Sequence, residues 1–174
     1  MEEWLKQLSP YVSEIVLIDV ESTDGTYQIA QKYTQFVFKR PFLMCGDQYR
    51  LELLAAATQP WVLWSYPDER WPEKTLKAIE TLIAQDRWNS FSFMRHEYMN
   101  DIRIQFNQDG KTIAHGTPDS PNYQTRLFKR GMGIFWTELV HAEYHGPVNV
   151  WPLPPDYFFE HRKSSADQDF DNVR

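Results

Sequence analysis

Residues 14–30, EIVLIDVESTDGTYQIA, run apolar and β-branched from Ile15 to Ile18, stop at an acid, turn through Ser22-Thr23-Asp24-Gly25, and resume with helical spacing. A run that is apolar on both faces suits a buried parallel strand. Beyond the turn, Ile29, Ala30 and Tyr33 recur at the interval of a helix face, and Asp24 is placed to cap it. The stretch therefore reads strand, acidic turn, helix, with Asp19 and Asp24 at the mouth of the turn.

The same order recurs downstream. WVLWSY at 61–66 reads as an aromatic, β-branched strand, and Asp68, Glu69 and Arg70 follow it. Pro72 then opens a helix over 72–85 whose apolar stripe is Leu76, Ile79, Leu82 and Ile83. Around these two units the spacing predicts a helix over 2–9 (Trp4, Leu5, Leu8), a strand over 35–40 and a helix over 46–57 with Leu51, Leu54 and Ala55 inward. From residue 87 the texture changes to short alternating segments, SFSFMRHEYM, DIRIQFN, YQTRLFKRG and GIFWTELVHAEY, with a turn at Gln108-Asp109-Gly110. The expectation is one α/β domain over 1–174: a mostly parallel sheet flanked by helices, with a smaller antiparallel C-terminal part.

Composition narrows the function classes. With 174 residues, 42% hydrophobic and 16% aromatic, the chain is long enough for one sizeable core, and no apolar run approaches the ~18 residues of a membrane span. A net charge of −6 disfavours sequence-independent nucleic-acid binding, which draws on Lys and Arg contacts to phosphates. Cys45 is alone, so it reads as a packed small apolar residue. No G-x-G-x-x-G follows the first strand, which disfavours a dinucleotide enzyme. MEEWLKQLSPYV lacks the features of a secretory signal, so a cytoplasmic location is expected, with peripheral placement at the inner membrane face as the second option.

In an open α/β sheet, ligands bind beyond the carboxyl ends of the strands. A carboxylate there can hold ribose hydroxyls, and another can hold a divalent cation that neutralises a diphosphate. The plainer readings are Asp24 as a helix cap, Asp68 and Glu69 as first-turn acids complementing a helix dipole, Arg126 as a surface pairing residue, and His141 and His161 as core histidines.

These residues resemble a known family. DVESTDGTYQIAQKY is similar to the D-x-G-S-T-D-G-T segment of family 2 glycosyltransferases with the GT-A fold. WVLWSYPDERWPEKTLKAI resembles their W-V-L-x-x-D-A-D-E-R-x-x-P-E-x-L segment, and YQTRLFKRGMGIFWTELVH their Y-Q-x-R-L-F-R-R-G followed by a tryptophan and V-H-E. The resemblance spans nearly the whole chain. It implies a nucleotide-binding half (1–86), an acceptor-side half (87–163) and a polar tail (164–174). It also implies inverting, metal-dependent transfer of a sugar from a nucleotide-sugar to a saccharide or lipid-linked acceptor, as in polysaccharide biosynthesis.

By the resemblance, Asp19 and Asp24 lie at the nucleotide, Asp68 at the metal (Mn or Mg) bridging the diphosphate, and His161 near that metal. Arg126 and His141 match positions on the acceptor side or lower lip of the site. Glu138, Glu143 and Asp119 compete for the role of base, with Glu138 preferred, because the family glutamate after the histidine is Ala142 here. Two departures stand out. Tyr66 and Pro67 replace the first two positions of the D-x-D motif, and the strand that precedes the first helix in the family is absent from this sequence. The second departure predicts an open place beside EIVLI, with self-association through that edge as one consequence. A catalytically impaired binding or assembly module is the alternative function.

Overall fold

The computed structural model of the chain describes residues 1–43, 49–104, 122–133, 135–136, 144–145 and 149–164. The first unit follows the reading closely: α1 (Glu2–Leu8), β1 (Val16–Asp19), α2 (Thr26–Ala30) and β2 (Phe36–Lys39). β1 and β2 pair in parallel, Val16 opposite Phe36 through Asp19 opposite Lys39. The apolar run predicts burial of both faces of β1, but only Leu17 and Asp19 are buried, while Val16 and Ile18 stay half-exposed.

Next come α3 (Arg50–Ala56), β3 (Trp61–Leu63), β4 (Glu69–Arg70) and α4 (Glu73–Ile83). α4 presents Leu76, Ile79 and Leu82 to the core as its spacing predicts. α3 corrects the expected inner face: Leu51 is 58% exposed, and none of the helix's residues is buried. Ala55 is exposed as well, whereas Leu54 is half-buried as expected, together with Leu53; residues 44–48, Cys45 among them, lie outside the described residues.

The remaining strands are β5 (Ser90–Met99), β6 (Ile102–Ile104), β7 (Tyr123–Lys129), β8 (Phe135–Trp136), β9 (Tyr144–His145), β10 (Val150–Pro152) and β11 (Phe158–Lys163). The larger sheet runs β3-β7-β5-β11-β4, with β6 and β10 also on β5. It is mixed rather than mostly parallel: β11 and β10 run parallel to β5, while the β3–β7, β7–β5, β5–β6 and β11–β4 pairs are antiparallel. The cause is the long β5, which recruits neighbours of both directions. The chain is thus mixed α/β, with β1–β2 as a two-stranded sheet of its own.

The core centres on Trp71, fully buried, stacked on Phe159 at 5.0 Å and edge-on to Phe93 at 5.2 Å. The Ser65 hydroxyl accepts from both Trp4 Nε1 (2.9 Å) and Trp71 Nε1 (2.8 Å). That double acceptor ties α1 to the end of β3, since buried indole donors need partners. No helix among the described residues is long and apolar enough to cross a membrane. The Gln108-Asp109-Gly110 turn and the tail beyond Ser164 lie outside the described residues.

Candidate functional site

Asp19 ends β1 and is 3% exposed. Its backbone oxygen accepts from Arg40 N–H at 3.0 Å, which continues the pairing with β2. Its side-chain Oδ1 is buried with no hydrogen-bond partner. Leaving such an atom unsatisfied costs about 1–3 kcal/mol, so this oxygen calls for a partner that the described residues do not supply. The following turn takes the left-handed region at Glu21 (φ 58) and Gly25 (φ 81). Gly25 occupies the cap position of α2, while Asp24 Oδ1 accepts from Thr26 N–H at 3.0 Å. The Thr26 hydroxyl and N–H hold the Asp24 carboxyl below its ordinary range. Asp24 therefore shapes the turn from one residue earlier than the expected cap.

The second acidic turn is organised by β11. His161 lies opposite Glu69 across the antiparallel pair with β4, and opposite Glu97 across the parallel pair with β5. This register sets the His161 ring between two carboxylates: Nε2 is 3.0 Å from Asp68 Oδ2 and Nδ1 is 2.7 Å from Glu97 Oε2. Arg95 Nη2 also approaches Nδ1 at 2.7 Å, although Nδ1 cannot both accept from arginine and donate to Glu97. Carboxylates at both ring nitrogens favour the doubly protonated ring, and Arg95 is then balanced by Glu97, 2.6 Å from its Nε.

Burial works against the charge of His161, but Asp68 and Glu97 outweigh it and hold the ring above its ordinary pKa. Burial likewise opposes ionisation of Asp68 and Glu97; hydrogen bonds from His161 prevail and keep both low, with Arg95 assisting at Glu97. Asp68 keeps one oxygen in reserve, since Oδ1 is buried without a partner.

Beside this cluster Glu69 and Arg126 form a buried pair at 2.6 Å. The guanidinium lies over the rings of Tyr66 (5.1 Å) and Phe159 (5.0 Å), and Glu69 Oε2 also accepts from Tyr66 N–H at 3.2 Å. Burial pushes the Glu69 carboxyl up, partly offset by Arg126. Glu69 and Asp68 are thus not first-turn acids of α4, whose first turn carries only Glu73. Tyr66 accepts a hydrogen bond from Arg50 Nη2 at 3.0 Å.

Of the expected site residues, the fold joins Asp68 and His161 directly, and places Arg126 on the neighbouring Glu69. Among the described residues no hydrogen bond or ion pair links Asp19 or Asp24 to that cluster. Glu138 and His141, with Asp119 and Glu143, lie outside the described residues. Sequence reasoning missed Arg95 and Glu97. The available signal was two ionisable residues at i and i+2 within the strand SFSFMRHEYM, which must share one face.

No group of three or more His, Cys, Asp or Glu among the described residues could hold a metal ion. The Asp68 Oδ1 atom suits a single protein ligand to a cation otherwise held by substrate oxygens. His161 does not suit ligation, because both ring nitrogens face carboxylates. A cavity of about 300 Å³ lies elsewhere, between β1 and β3, and none of Asp19, Asp24, Asp68, Arg126 and His161 is in its wall. Neither a scan of protein-family models nor a search of curated proteins returns a match to this chain.

Proposed function

We propose that the chain is a GT-A glycosyltransferase of family 2 type, moving a sugar with inversion from a nucleotide-sugar to a saccharide or lipid-linked acceptor. The observation that carries this reading is the pair of unpartnered carboxylate oxygens, Asp19 Oδ1 on the last residue of β1 and Asp68 Oδ1 between β3 and β4. Both are hydrogen-bond acceptors with nothing to accept, where a ribose hydroxyl and a metal-bound diphosphate would be served.

In this reading Asp19 takes the nucleotide's ribose or base, and Gly25 and Asp24 shape the loop around it. Asp68 would hold a divalent cation, Mn or Mg, whose charge would offset that of the diphosphate. His161 is the positioning residue that fixes Asp68 through Oδ2 and keeps it charged, with Glu97 holding the far side of the ring. Arg126 supports the site from below by neutralising Glu69. The acceptor hydroxyl oxygen bonds to the anomeric carbon, the bond from that carbon to the diphosphate breaks, and the hydroxyl proton passes to a carboxylate, assigned to Glu138, with His141 on the acceptor side.

The test is calorimetric titration of UDP with Mn²⁺, alongside assays of donor hydrolysis and transfer. Binding that requires the metal and is lost in Asp68→Ala supports the reading; absence of binding to every nucleoside diphosphate tried with Mn²⁺ or Mg²⁺ refutes it. One observation favours the alternative of a catalytically impaired binding or assembly module: Tyr66 places a neutral phenol, bonded to Arg50, where an acid is expected. Nucleotide binding without turnover would select that alternative.

A further inference from the structure

The Ser65 hydroxyl is bonded from three directions. Its oxygen accepts from Trp4 Nε1 at 2.9 Å and from Trp71 Nε1 at 2.8 Å. A serine hydroxyl offers two acceptor sites and one proton. Both acceptor sites are taken by the indoles, and the proton goes to a third partner, the Glu69 carboxylate. Trp4 is 6% exposed, Trp71 0% and Glu69 1%, so all three partners of that hydroxyl are buried.

Glu69 in turn closes the loop that carries Asp68. Its carboxylate accepts from Tyr66 N–H at 3.2 Å and from Arg126 Nη2 at 2.6 Å, and its own N–H donates to Tyr66 C=O at 3.0 Å. Asp68 lies between those two residues, with its C=O accepting from Arg162 N–H at 2.8 Å and its Oδ2 on His161. The place of Oδ1 therefore follows from the His161 ring and from the backbone of this turn. The other end of the chain is fixed by α1. Leu5 and Leu8 are buried, Gln7 Oε1 accepts from Trp71 N–H at 2.9 Å, and Glu3 lies 3.4 Å from Arg70. α1 thus grips the turn on both sides, at Ser65 before it and at residues 70 and 71 after it. Any buried carbonyl could satisfy one indole; a hydroxyl shared between two also aims a proton at the neighbour of Asp68.

We propose that Ser65 is a positioning residue for Asp68, set from α1 by the Trp4 indole, so that α1 governs how well the second acidic turn holds a cation. The cation's role rests on the glycosyltransferase reading; the chain Trp4–Ser65–Glu69 does not. Removing the Trp4 N–H releases one acceptor site of the Ser65 hydroxyl and, with it, the direction of the proton. The Glu69 carboxylate then keeps only Tyr66 and Arg126, the turn loosens, and Asp68 Oδ1 leaves the one place where a cation can use it. A cation held mainly by substrate oxygens and one protein carboxylate is sensitive to that loss, since Asp68 belongs to no group of three or more such ligands among the described residues.

The experiment compares the wild-type chain with Trp4→Phe, which keeps a ring and removes the N–H, and with Ser65→Ala and Ser65→Thr. UDP is titrated by calorimetry at a series of Mn²⁺ concentrations, and amide hydrogen exchange is followed without ligand. The Mn²⁺ concentration for half-maximal UDP binding should rise about tenfold in Trp4→Phe and further in Ser65→Ala, with the affinity at saturating Mn²⁺ within about twofold of wild type. Ser65→Thr keeps the hydroxyl, and its methyl can enter the cavity that Ser65 lines, so it should restore the wild-type midpoint. Exchange at the Tyr66 and Glu69 amides should quicken about tenfold in Trp4→Phe, while Phe93 and Leu127 stay unchanged. A merely structural role would lower the fraction of protein that binds and leave the Mn²⁺ midpoint in place, and that result overturns the proposal. Unchanged exchange at Tyr66 and Glu69, or a Ser65→Thr no better than Ser65→Ala, overturns it as well. Wild-type protein that binds no UDP at any Mn²⁺ concentration refutes the glycosyltransferase reading together with the cation's role. Normal wild-type binding with an unmoved midpoint in Trp4→Phe refutes the positioning role alone.

Discussion

Glu69 Oε1 and Arg126 Nη2 stand 2.6 Å apart with 1% and 11% of their side chains exposed. Removing one partner from such a pair strands the other charge in a low-dielectric setting. Arg126→Leu is therefore expected to cost about 3–5 kcal/mol in urea unfolding. The double variant Glu69→Leu/Arg126→Leu should cost clearly less than Arg126→Leu alone, because no charge is left behind. Equal losses in the two would show that packing, not charge, holds this corner.

Asp19 carries a different expectation. Its unpartnered oxygen is a liability to the protein alone, so Asp19→Ala, which removes that oxygen, should raise stability, by about 1 kcal/mol, while weakening UDP binding at least about tenfold. Stability is read by urea titration and binding by calorimetry. A less stable variant that still binds UDP as before would make Asp19 a structural residue and remove it from the nucleotide site.

The histidines give stability a pH optimum. His161 is held above its ordinary pKa, so its contribution is fully present below about pH 6.5 and is lost as pH rises through the raised value. Asp68 and Glu97 are held low, so theirs is present above about pH 4.5 and is lost as pH falls through the lowered values. His96, stacked on Phe158 at 4.2 Å, is pushed down to about 4 by burial and by Arg103. It resists protonation in the fold, so stability climbs between about pH 4 and 6.5. Urea unfolding with a chelator present should peak near about pH 6.5. His161→Gln should flatten the alkaline limb, and His96→Phe the slope below the peak; an unchanged alkaline limb in His161→Gln counts against the imidazolium assignment.

Gly25 tests the turn by backbone alone. A Cβ there would meet nothing within 4 Å, yet φ is +81°. Gly25→Ala should therefore cost about 1–2 kcal/mol through the left-handed conformation rather than through a clash, and Gly25→Asn less, since asparagine tolerates that region. A loss as large for Asn as for Ala would point to crowding.

Much of the fold is legible in the sequence where periodicity is long or cleanly bounded, as in α1, β1, β2, α4, β5 and β7. The failures have physical causes. β4 and β10 span only two and three residues and exist because longer strands are there to pair with. α3 shows Leu51 to solvent and turns Leu53 and Leu54 inward, a choice of face that the near-continuous apolar run LELLAAA leaves open. In the candidate site, Asp68 and His161 are readable as residues but not as a bonded pair, because their meeting depends on β11 lying between β4 and β5. Arg95 and Glu97 look like ordinary strand polarity until that register is known.

The separation of β1–β2 from the larger sheet also bears on cooperativity. No backbone ladder among the described residues ties residues 16–39 to the rest; what holds them is side-chain packing, the Glu14–Thr58 contact and the Arg40–Glu52 ion pair. Such a piece can open as its own foldon, at a free energy below that of global unfolding. Asp19 and Gly25 ride on it. Any ligand that engages Asp19 must therefore spend part of its binding energy holding this foldon closed.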